Sequence, residues 1–147
     1  MDLQVDDFYH DAAAGLLMLY QAFPRKITLY VEDLIGHEEP DEFGLPSKRH
    51  QSCLGALVWL ADEGYLRFES TLQFLAIDQA VLTEKAFLRL TGSVSEPASD
   101  RDALPASVRR IHSSLAHQLR QALREGHGER LAQLTRQLLS QAPSGRS

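Results

Sequence analysis

The sequence predicts a mostly helical α+β fold: a domain holding a short antiparallel sheet, followed by a helical hairpin. Three observations predict it. Apolar residues recur every three or four positions within residues 7–23, 47–63 and 104–141, the period of an amphipathic helix. Between the first two and the third, "KITLYV", "YLRFE" and "LQFLAID" carry the alternation of half-buried strands. The stretch "TGSVSEPASDRDALP" is rich in Ser, Pro, Gly and charge, and separates the two parts as a linker.

The elements follow in order. Phe8, Ala12, Leu16, Leu19 and Phe23 give the first helix its apolar stripe, and Pro24 stops it. Ile27, Leu29 and Val31 alternate with Thr28 and Tyr30 in a first strand, and "EDLIG" is a short helical turn closed by Gly36. Residues 37–46, "HEEPDEFGLP", form an acidic loop. Ser47 is the expected N-cap of the next helix, with Cys53, Leu54, Leu57, Leu60 and Ala61 facing inward and Gly64 as its stop. A hairpin follows, its turn expected at Ser70 and Thr71, and Thr83 caps another short helix. Leu104, Val108, Ile111, Leu115, Leu119 and Leu123 space one long helix, "GHG" breaks it, and Leu131, Leu134 and Leu138 space the last. The expected organisation is residues 1–92 as the first domain, 93–103 as linker and 104–142 as a C-terminal helical hairpin.

Composition narrows the function classes. The chain has 147 residues, 44% hydrophobic and 24% charged, enough for one cored domain with an appendage. The longest apolar runs, "AAAGLLML" and "LGALVWLA", fall well short of the roughly 20 residues of a membrane helix. The acidic N-terminus lacks the basic region of a secretory signal, and Cys53 is the only cysteine. A cytoplasmic protein is expected. Charge is divided along the chain: 17 acids stand against 7 Lys/Arg in residues 1–100, and 3 against 8 in residues 101–147. The acidic front and the arginine-rich end are therefore candidates for mutual contact, within or between subunits, and the arginines could instead follow phosphates.

Two motifs carry a resemblance. "LVWLADEGYLRFE", residues 57–69, resembles the passage of winged-helix proteins in which the recognition helix ends at a Gly and turns into the first wing strand. "AVLTEKAFLRL", residues 80–90, resembles the "LTxKG" after the second wing strand, with Ala86 where that pattern usually has Gly. Over residues 7–91 the chain is thus similar to the winged-helix superfamily, and in particular to its bacterial transcriptional regulators. The resemblance implies a reading helix from Ser47, entering a DNA major groove by its N-terminal end. The Leu-rich stripe of the C-terminal arm, residues 104–141, must be buried, either on its own domain or, as the resemblance implies and as is expected, in a homodimer that places two reading helices about one DNA turn apart.

On that reading Lys48, Gln51 and Ser52 contact bases of double-stranded DNA, Gly55 admits close backbone approach, and Arg49, His50 and Arg67 hold phosphates. Cations at a helix N-terminus oppose the helix dipole, so "SKRHQ" should face an anion, either phosphate or the chain's own acidic loop. The second functional expectation is an interaction module that never touches DNA. There Glu38, Glu39, Asp41, Glu42 and Trp59 dock a basic protein partner. Enzyme chemistry is not expected. The sequence has no serine-nucleophile, phosphate-loop or zinc-protease motif, and Cys53 lies on the apolar stripe as a core residue. No cofactor is implied, and an acidic solvated loop is preferred over a divalent-ion site at His37, Glu38, Glu39 and Asp41.

Overall fold

The computed structural model describes residues 3–94, 105 and 113–140. Its elements run α1 (Leu3–Ala22), β1 (Ile27–Tyr30), α2 (Val31–Ile35), α3 (Lys48–Asp62), β2 (Leu66–Arg67), β3 (Ser70–Leu72), β4 (Ala76–Leu82), α4 (Glu84–Thr91), α5 (Leu115–Glu125) and α6 (Gly128–Ser140). The α+β class is as expected. No helix among the described residues is long and apolar enough to cross a membrane.

The sheet is antiparallel, and β4 is its centre. Leu29 and Tyr30 of β1 pair with Ile77 and Ala76, while Thr71 and Leu72 of β3 pair with the same two residues from the other side. β2 continues the lane of β3, pairing Leu66 with Leu82. The hairpin turn differs from expectation. Ser70 and Thr71 are ladder residues, and the turn is Gln73–Phe74–Leu75, closed by Leu75 N–H donating to Leu72 O at 2.9 Å. The Leu72–Ala76 pairing leaves those three residues between the strands, and Gln73 takes a left-handed φ of 53° to make the turn. Ladder bonds along an exposed edge outweigh the turn preference of Ser and Thr. Phe74, within the expected strand "LQFLAID", is therefore at the exposed turn.

α1 is the hub of the core. Ala12, Ala13, Leu16, Leu17 and Leu19 are buried on it, and α3, β4, α5 and α6 all pack against it. A Cβ on Gly15 would sit 2.8 Å from Leu57 Cδ2, so Gly15 is what lets α1 and α3 approach so closely. The caps follow the sequence: Ser47 Oγ accepts from His50 N–H, Thr83 Oγ1 accepts from Ala86 N–H, and Gly64 ends α3 at φ +85°.

The C-terminal part differs from expectation in two ways. A continuous helix from Leu104 does not form, because Ser113 and Ser114 are not helical. Ser114 pairs with Ser93 in an extended bridge and caps α5 by accepting from His117 N–H. Leu104, Val108 and Ile111, with most of the expected linker, lie outside the described residues. The leucine stripe expected to join two subunits is covered by the same chain. Leu115, Leu119, Leu131, Leu134 and Leu138 are buried in one core with α1, each such side chain contributing about 1.5–3 kcal/mol. Tyr65 Oη–H donates to Leu139 O at 2.8 Å and Arg89 Nη1–H to Leu138 O at 2.8 Å, tying α6 to the first part of the chain. Among the described residues the hairpin is thus a layer of the fold, not a separate arm.

Candidate docking cleft and the exposed face of α3

Of the cations that open α3, Arg49 finds an anion, and it is on α1. Arg49 crosses to Asp11 with both terminal nitrogens, Nη1–H to Oδ2 at 2.6 Å and Nη2–H to Oδ1 at 2.8 Å, and its Nε lies 3.6 Å from Asp7. Asp11 is 1% exposed. A bidentate guanidinium–carboxylate pair of this kind outweighs the few tenths of a kcal/mol that a cation costs at a helix start. Burial alone would raise the Asp11 pKa, but hydrogen bonds from Arg49 and His10 and the charge of Arg49 hold it below the usual carboxylate value. The hydrogen bond to Asp11 likewise raises the pKa of Arg49.

Two expected phosphate contacts are thereby reassigned. Arg49 is committed to Asp11. His50 is buried, and its Nε2–H donates to Phe74 O at 2.6 Å, fastening α3 to the β3–β4 turn. A helix that packs its second and third residues against neighbours cannot present them to DNA without breaking those bonds. The acidic loop pairs with neither. It reaches the helix cap instead, Ser47 Oγ–H donating to Glu38 Oε1 at 2.9 Å.

The rest of the expected reading surface stays outside. Lys48, Gln51, Ser52, Gly55 and Trp59 are exposed along one face of α3. Gln51 Nε2–H donates to Pro46 O at 2.8 Å, and the Trp59 ring meets Phe8 edge-on at 5.3 Å. Arg67 is exposed but pairs in register with Val81, at the end of β4 away from the turn, so it does not reach the tip of the hairpin. That tip is Gln73, Phe74 and Leu75, with Phe74 54% and Leu75 50% exposed.

The tip faces the acidic loop across a cleft of about 240 Å³. Pro40, Pro46, Phe74 and Leu75 supply its apolar walls, and Glu32, His37 and Glu38 its polar side. The loop keeps its shape through Asp41, whose Oδ1 accepts from Phe43 N–H at 2.9 Å and Leu45 N–H at 2.8 Å. Phe43 and Leu45 remain exposed beside it. Glu39, Asp41 and Glu42 are exposed as well, so carboxylates and apolar side chains share this end of the molecule.

His37 is placed between two of those carboxylates. Its Nδ1 lies 2.8 Å from Glu32 Oε2 and its Nε2 3.1 Å from Glu39 Oε2. Both nitrogens can donate only in the imidazolium, so the bonds to Glu32 and then Glu39 raise its pKa above 6.5. The contacts are complete below the unfolded value and are lost as pH rises through the folded one. An NMR titration of the His37 ring should give a midpoint above 6.5, moved down by Glu32→Gln. A midpoint at or below 6.5 would refute the bridge.

Cys53, read as core, is fully buried. Burial, reinforced by the Asp11 charge, pushes its thiol pKa up to about 12. It should resist a water-soluble disulfide reagent in the native protein and react only on unfolding.

Sequence reasoning missed Asp11, Phe74 and Leu75. A signal for Asp11 was present: an acid directly before "AAAGLL", one position from the apolar stripe, calls for a buried counter-charge. Phe74 and Leu75 gave none, since two apolar residues between strands read as strand. Comparison with known proteins returns nothing: no family model, no curated protein and no solved structure matches this chain.

Proposed function

We propose that this chain is a winged-helix interaction module that docks a basic protein partner in the cleft between its acidic loop and its wing tip. The order of elements and the β1–β4–β2 pairing support the winged-helix reading. One observation carries the docking reading: the tip that would meet phosphate in a DNA reader is apolar and stands beside carboxylates. Charge repulsion from Glu32, Glu38 and Glu39 disfavours a polyanion there and favours a segment with an apolar side chain flanked by Lys or Arg.

A second reading has its own support. Lys48, Gln51, Ser52 and Gly55 remain exposed on one face of α3, the face a transcriptional regulator would lay in a major groove. In that reading a homodimer supplies the second half-site contact, through a surface other than the leucine stripe that α1 covers.

One experiment separates them. Fluorescence anisotropy of the full chain is measured against labelled duplex DNA across a salt series, and against a displayed library of basic–apolar peptides. Peptide capture with no DNA binding at low salt supports docking. Saturable DNA binding that weakens steeply with salt and is lost in Lys48→Glu overturns it.

A further inference from the structure

A second, larger cleft lies between the N-terminal half of α1 and the α5–α6 hairpin. Its volume is about 600 Å³, within the roughly 300–1,000 Å³ range of small-molecule sites. Leu123 and Leu131 give it apolar walls, and Gly126 and Gly128 at the interhelical turn add no side chain to fill it. Tyr9 offers an aromatic ring, and Asp6 and Glu129 contribute carboxylates from opposite elements. Among the described residues no Lys or Arg lines it. His10, the remaining lining group with a charge to gain, directs Nδ1 to Asp11 Oδ1 at 3.0 Å. Arg130, next to Glu129 in sequence, reaches instead to Gln118 Oε1 at 3.4 Å.

Apolar walls would receive hydrocarbon, an aromatic face attracts cations, and two carboxylates without a lining Lys or Arg favour positive charge over negative. We infer that this cleft binds an apolar organic cation, a compact aromatic or alkyl ammonium or phosphonium, independently of the docking cleft. Net charge alone does not make the case, since the acidic loop is more strongly negative. What distinguishes this cleft is a volume large enough to seat such a molecule.

The test uses isothermal titration of the full chain with tetraphenylphosphonium, and with tetraphenylborate as an anion of the same shape. The cation should bind saturably and the anion should not. Asp6→Asn with Glu129→Gln, both exposed positions, should weaken the cation by about tenfold with an unchanged melting curve. Ala132→Trp, which fills the cleft, should abolish binding, and its circular dichroism reports whether it folds. Absence of saturable heat, equal binding of the anion, or indifference to the double charge variant would overturn the inference. So would a sedimentation result showing that a second copy of the chain covers the cleft.

Discussion

Arg49→Met is expected to lower the unfolding free energy by about 3–5 kcal/mol, the usual cost of stranding one member of a buried ion pair. Methionine keeps much of the apolar stem but leaves the Asp11 carboxylate, 1% exposed, with no guanidinium and only the bond from His10. Total stability of a domain this size is about 5–15 kcal/mol, so the loss should be plain in urea denaturation at neutral pH. Removing the acid as well, in Asp11→Ala/Arg49→Met, should recover a substantial part of it, because the uncompensated charge is gone. The pH dependence has a definite sign. The folded Asp11 pKa is depressed, so its contribution is complete above the unfolded value of 3.8 and is lost as pH falls through the folded one. Wild type and the double variant should therefore converge in stability under acid. An Arg49→Met protein within about 1 kcal/mol of wild type at pH 7 would mean that the pair is no more than a surface contact.

The second large effect concerns binding. Phe74→Ser with Leu75→Ser should weaken a captured basic–apolar peptide by about 30-fold or more, the loss of at least about 2 kcal/mol typical of a central apolar anchor. Stability should barely change. Both side chains are at least half exposed, and the turn's bonds, from Leu75 N–H to Leu72 O and from His50 to Phe74 O, involve Phe74 and Leu75 through their main chain. Glu32→Gln with Glu38→Gln should weaken the same peptide and flatten its salt dependence, whereas Lys48→Glu should leave it unchanged. A peptide that binds the serine variant as tightly as wild type has its site elsewhere, and the cleft reading fails.

The local layer of this fold was legible in the chain. Ser47, Thr83 and Gly64 act where their residue types said they would, because capping needs only a side chain and the next three backbone groups. Helical periodicity found α1 and α3, and it found the buried positions of α6, because one apolar stripe on a helix has to be covered by something. What covers it is not a local property. The leucines of α5 and α6 pointed to a dimer ahead of an internal layer, and α1, with apolar residues on more than one side, covers them within the chain.

The candidate site divides along the same line. Types and exposure along α3 were readable: Lys48, Gln51, Ser52, Gly55 and Trp59 are outside, Cys53 and Leu57 inside. The partners of its first turn were not. Arg49 meets an acid 38 residues earlier, and His50 a carbonyl 24 residues later. The hairpin turn moved to Gln73–Leu75 because register is set across the ladder, where β4 meets β1 and β3 at the same residues. By itself the sequence determined most of the helices and strands, and which face of the helices is apolar. Only the tertiary structure decided which charges are consumed inside the fold and which remain at the surface, because a pairing energy depends on distance and burial rather than on the residue's type.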